Sequence, residues 1–149
     1  MATRSSDLDF GINNEAIVLT LLEQHFKKTF NRNKRNAVFD YTSTDGSIEI
    51  ELKSRRVAHN KYDTTLVGQN KVTHCDKDGG KTYYFAFLFT DGLYIIKYEP
   101  EVFVTYERDD NYRRGARSDC YNPIQHLVKI PVCSLSMIHP APLTEVVVQ

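Results

Sequence analysis

A chain of 149 residues fits one domain and buries roughly 70% of its extended surface on folding, enough for a core without staples. Its 19 basic and 19 acidic side chains cancel, which excludes a polycation that coats nucleic acid by bulk charge and an acidic solvating tail, so a polyanionic partner needs a local patch. The cysteines Cys75, Cys120 and Cys133 form no CxxC pair and cannot all pair within the chain, which favours a reduced intracellular setting over secretion.

The apolar runs fall short of the ~18 residues of a membrane span, and the first residues lack a signal peptide's apolar stretch, so no membrane association is expected. Over residues 10–30 the apolar Ile17, Val18, Leu21, Leu22 and Phe26 recur at helical spacing, and Asn13 or Asn14 can cap the helix they predict. Glu15 shares the stripe of Val18, Leu22 and Phe26, so a carboxylate looks toward the core. Residues 27–36 then carry Lys27, Lys28, Arg32, Lys34 and Arg35 with no acid, suited to the negative end of that helix.

Two strands are predicted at 36–41 and 47–54, joined through Asp45-Gly46, a hairpin signal in which Asp45 is a turn residue. In the second strand Ile48, Ile50 and Leu52 face one way and Glu49, Glu51 and Lys53 the other, with Glu49 expected at the solvated edge. A basic loop (Arg55, Arg56, His59, Lys61) leads to a short helix that Thr64 or Thr65 caps, running to about Lys77 and stopped by Asp78-Gly79-Gly80. Residues 82–89 and 93–98, around Asp91-Gly92, read as a second hairpin whose aromatic first strand is buried on both faces. Beyond it, 102–106 is a strand or short helix, and 107–122, with Arg113, Arg114 and Arg117, is a charged loop. Four of the five prolines break up the remainder, whose last residues are expected to be mobile. Together these elements predict a single α/β domain over 1–149 with a mixed central β-sheet flanked by helices.

A two-residue Asp45-Gly46 turn sets Thr44 opposite Ser47 and keeps opposed residue numbers summing to 91, which puts Asp40 across from Glu51. Two like charges at ~5 Å, with an effective dielectric of about 20, repel by roughly 3 kcal/mol. A divalent cation between them turns each carboxylate into a hard ligand, and the Leu52 carbonyl and Lys53 ammonium follow directly. Two acids, a cationic side chain and a metal are what phosphodiester hydrolysis needs.

Asp40, ten intervening residues and Glu51-Leu52-Lys53 resemble the motif of the PD-(D/E)XK nuclease superfamily, which has the restriction-endonuclease-like fold and includes Holliday-junction resolvases and many phage and viral nucleases. The order helix, strand, strand, helix, strand over residues 10–98 also resembles its core, leaving 99–149 as a C-terminal elaboration. The resemblance implies that Asp40, Glu51 and the Leu52 carbonyl bind Mg²⁺ or Mn²⁺ and that Lys53 orients the attacking water. It further implies that Glu15 helps hold the metal and that Gln69 and Lys71, on the helix after the motif, stand near the site. Phe39 departs from the family's usual proline before the first acid. The implied activity is DNA endonucleolysis, structure-selective or weakly sequence-specific, and a homodimer is compatible with it.

The basic residues Lys34, Arg35, Arg55, Arg56, Lys61 and Lys71 are the candidate phosphate contacts, which position the backbone without reading bases. The five histidines show no zinc-ligand spacing, Cys120 and Cys133 read as inert, and the aromatics of 83–89 read as core. Two alternatives stand beside the DNA nuclease. One is an RNA endonuclease of the same superfamily, akin to the cap-snatching viral enzymes, with His25 as its added ligand; the other is a non-catalytic nucleic-acid-binding or assembly module.

Overall fold

The computed structural model describes the backbone of residues 4–77, 80–113 and 124–141, with side chains over 14–77, 80–110 and 126–141. Helix α1 (Arg4–Phe26) begins well before the Asn13 and Asn14 caps expected from the apolar pattern and runs through both asparagines. It ends at Phe26, where Lys27 turns into the left-handed region at φ 55° and the Lys28 N–H reaches the Glu23 carbonyl.

The stretch expected to close the helix instead forms a strand, β1 (Phe30–Arg32), anchored by the buried Phe30. It pairs antiparallel with β2 (Tyr41–Ser43), which pairs antiparallel with β3 (Ile48–Ser54). The β2–β3 register, Tyr41 opposite Ile50 and Thr42 opposite Glu49, is the one that sums to 91. The turn is wider than two residues, however. Gly46, at φ 77°, donates its N–H to the Ser43 carbonyl, and the Thr44 N–H bonds the Thr29 carbonyl rather than facing Ser47. Asp45 ties this turn by accepting from the Ser43 and Ser47 hydroxyls and the Ser47 N–H, and with Lys28 beside it its carboxyl is held far below the usual range.

Residues expected to open the second helix are extended. Strand β4 (Thr64–Gly68) alternates, with Thr65 and Val67 buried, and pairs antiparallel with β8 (Ile124–Pro131). Two threonines and a valine suit a half-buried strand, and the partner strand that decides the matter lies some sixty residues away, outside local pattern. Gly68 therefore ends a strand rather than interrupting a helix, and α2 runs Gln69–Lys77. The expected stop at Asp78-Gly79 lies outside the described residues.

Through β4 and α2 the chain crosses to β5 (Thr82–Phe89), parallel to β3, and returns as β6 (Gly92–Lys97). Here the two-residue loop is Thr90-Asp91, and Gly92 opens β6. A Cβ on Gly92 would lie 2.6 Å from the His139 carbonyl, so glycine lets β9 (Ser136–Pro140) approach. The short helix α3 (Pro100–Phe103) follows β6, and β7 (Arg108–Arg113) is a strand where a loop was expected. Arg114, Arg117 and Cys120, the Arg113 side chain and the residues after 141 lie outside the described set.

The molecule is a mixed α/β fold. A six-stranded mixed sheet, ordered β1-β2-β3-β5-β6-β9, carries a core on each face, and a three-stranded sheet, β4-β8-β7, packs on one side. The strand β5 decides this layering. Its Phe85, Phe87 and Phe89 face a core closed by Val72 and Cys75 of α2 and by Val67, Val128 and Ile130 of the second sheet. Ala86 and Leu88 face a core built on Val18, Leu21 and Leu22 of α1. Among the described residues no helix is long and apolar enough to cross a membrane.

Candidate active site

Strand β3 places Ile48 and Ile50 under α1 and turns Glu49 and Glu51 to the opposite face, toward α2. Glu51 is only 2% exposed. Asp40 lies at the lead-in to β2, its N–H bonded to the Ile50 carbonyl at 3.1 Å. Its Oδ2 accepts the Leu52 N–H at 2.8 Å, which locks the Asp40 carboxylate beside that of Glu51. Because a strand residue's N–H and C=O point to the same side, the Leu52 carbonyl faces the Asp40 side too.

The repulsion implied by two opposed acids is met by two lysines and by a Glu51 carboxyl that holds its proton more tightly than usual. Burial pushes the Glu51 carboxyl up to about 7, and a hydrogen bond to Asp40 supports that rise by stabilising the protonated form. Lys53 Nζ at 3.2 Å and Lys71 Nζ at 3.1 Å from the Glu51 Oε2 oppose it. Lys71 also donates to the Val38 carbonyl, pinning α2 to the chain just before Asp40.

A second rung sits one step along the strand. Glu49, expected at the solvated edge, is buried, with His74 Nε2 at 3.2 Å, the Thr42 hydroxyl at 3.3 Å and Lys81 Nζ at 3.7 Å. The match is geometric: acids two residues apart on a strand are ~6.6 Å apart, and residues three apart on a helix rise ~4.5 Å on one face. Lys71 and His74 on α2 thus meet Glu51 and Glu49 on β3. The i, i+3 spacing of these two residues is visible in the sequence, but which strand they face is set by the crossover.

Of the other candidates, Glu15 is half-buried on the α1 side, ion-paired with Arg32 and bonded by the Tyr41 hydroxyl at 3.3 Å. Tyr41 follows Asp40 but points to the opposite face, so these contacts draw Glu15 away from Glu51. Gln69 accepts from Arg108 Nε at 3.1 Å, and Arg108 also bonds the carbonyls of Phe103 and Tyr106, which makes Gln69 part of a clasp between α2 and the α3–β7 segment. Lys34 and Arg35 are exposed on the turn leading to Asp40, and Arg56 and Lys61 are exposed on the loop after β3. Arg55 donates to the Leu66 carbonyl at 2.8 Å, bridging the two sheets. His25 is exposed beside Phe26 at the end of α1. Cys75 is buried, which pushes its thiol up to about 12, whereas Cys133 is exposed.

Two carboxylates and one main-chain carbonyl suit a hard divalent cation such as Mg²⁺ or Mn²⁺, which is commonly held by one or two carboxylates and keeps several waters. Among the described residues no three His, Cys, Asp or Glu side chains converge on one metal position, so a cation here would rely on the main chain and water for its remaining ligands. No family model matches the chain, and no curated protein matches it.

Proposed function

We propose that this chain is a Mg²⁺- or Mn²⁺-dependent endonuclease that hydrolyses DNA phosphodiester bonds, built on the restriction-endonuclease-like core of the PD-(D/E)XK superfamily. The observation that carries the reading is the Leu52 N–H bond to Asp40, which holds that acid beside Glu51 while Lys53 reaches the same carboxylate. The α1, β1–β2–β3 meander, α2 crossover and parallel β5 supply the frame that such a site uses.

Asp40, Glu51 and the Leu52 carbonyl would hold the cation, which when bound supplies Lewis-acid charge to the scissile phosphate. The chain's own residues do the rest. Lys53, about a third exposed, keeps an ammonium at the acid pair from which it can donate to a water or to a phosphoryl oxygen as charge develops. Lys71 anchors Glu51 from α2 and holds the lead-in to Asp40 through Val38. Exposed Lys34 and Arg35 offer phosphate contacts on the approach, which position a backbone without reading its sequence. The sequence carries no helix-turn-helix or zinc-finger pattern, in keeping with structure-selective or weakly specific cleavage. A cleavage assay on single-stranded, duplex, branched and RNA substrates, with Mn²⁺ or EDTA, tests the reading and separates it from the RNA endonuclease and the non-catalytic module.

A further inference from the structure

A groove of about 940 Å³ opens beside the acid pair, between the end of β3 and the second sheet, with Lys53 and Lys71 at its lining. Lys129, ion-paired with Glu107, joins them, as do Arg55, bonded to the Leu66 carbonyl, and His59, held by Asp91, while Asp109 is the acid of the lining. Tyr62, also part of the lining, is 64% exposed and so presents its ring to whatever enters the groove.

That loop is tied at every few residues. The Arg55 N–H bonds the Leu88 carbonyl, the Thr90 N–H bonds the Val57 carbonyl, and the Val132 N–H bonds the Asp63 carbonyl. His59 is clamped by Asp91 through both its backbone N–H, at 2.9 Å, and its ring Nδ1, and its ring stacks on Tyr94 at 4.6 Å. Tyr62 is thus presented to solvent on a backbone held at both ends, so little entropy remains to be lost when something flat lies on it.

We infer that this groove seats a single-stranded nucleic-acid segment, with one base stacked on Tyr62 and its backbone along the basic wall toward Lys53. The inference rests on the nuclease reading for the direction of the strand. A groove of this volume has the dimensions of a small-molecule site (~300–1,000 Å³). Basic lining with an aromatic face is the combination that binds single strands irrespective of sequence.

The test measures the affinity of the full chain for end-labelled single-stranded DNA, single-stranded RNA and duplex DNA in EDTA, where binding is read without cleavage. Tyr62→Ala should weaken single-strand affinity at least about fivefold, the low end of what one stacked base contributes. Tyr62→Phe, which keeps the ring, should bind within about twofold of wild type, and the salt dependence of the alanine variant should not change, since no phosphate contact is lost. The DNA and RNA arms show which backbone the groove prefers. A smaller loss in Tyr62→Ala, or duplex bound as tightly as single strand, overturns the inference. Parallel Mn²⁺ cleavage separates the two readings. Cleavage with unchanged Tyr62→Ala affinity removes the stacking platform alone, whereas lost affinity with no cleavage of any substrate keeps the platform and removes the nuclease.

Discussion

Lys53 touches Glu51 and lines the groove, and on the proposed reading it is the group that stabilises developing phosphoryl charge. Lys53→Ala is expected to lower single-turnover cleavage at least about a hundredfold with metal and DNA saturating, and Lys53→Arg should not restore it, because a planar guanidinium directs its charge differently. Near-wild-type turnover in Lys53→Ala would reduce the motif to a charged strand. Glu51 gives a pH signature. Its folded-state carboxyl is raised to about 7, above its value in the unfolded chain, so the native state binds more protons between about 4.5 and 7 and stability falls as pH rises through that window. In EDTA, Glu51→Gln should remove this part of the pH dependence of denaturant unfolding; an unchanged profile would mean that Glu51 ionises normally. These residues were legible in the sequence because a motif, an alternating strand and a hairpin register all pointed to them. Lys71 at Glu51 and the burial of Glu49 were not, since both depend on how α2 docks.

At the level of elements, the two faces of the central sheet divide labour: α1 covers the apolar face of β3, and α2 covers the acidic one. Leu22→Ala, at a fully buried position of α1, should cost about 2–5 kcal/mol of stability in denaturant titration while leaving Mn²⁺ affinity by calorimetry within about twofold of wild type. A large loss of metal affinity in the folded variant would contradict this separation. The long elements, α1, β3, β5 and β6, were foreseen because their apolar periods run over several turns or residues. The short β1 and β2 and the strands β4 and β7 gave weaker signals. With three residues β1 shows no period, and β4 owes its extended form to β8, a partner no local window contains. The first helix was placed too late because Asn13 and Asn14 read as caps, whereas the helix runs through them.

For the whole molecule, neutral net charge confines any polyanion to a local surface, and the described basic residues differ in how free they are to serve it. Arg55 is committed to the Leu66 carbonyl, so its removal would disturb the joint between the sheets as well as binding. Lys34 and Arg35 are exposed, and replacing both with alanine should reduce the slope of log affinity against log salt by about 0.7–0.9 per lost contact without changing the melting temperature. An unchanged slope would assign them to ordinary solvated surface. Whether the acid pair is catalytic is decided by Mn²⁺-dependent cleavage of DNA by purified wild type, Asp40→Asn and Glu51→Gln at equal folded concentration. Wild type should cleave in a reaction that EDTA abolishes, and both variants should lose that activity by at least about a hundredfold. Equal cleavage by all three, or none by the wild type on any DNA or RNA substrate, would contradict catalysis by the pair.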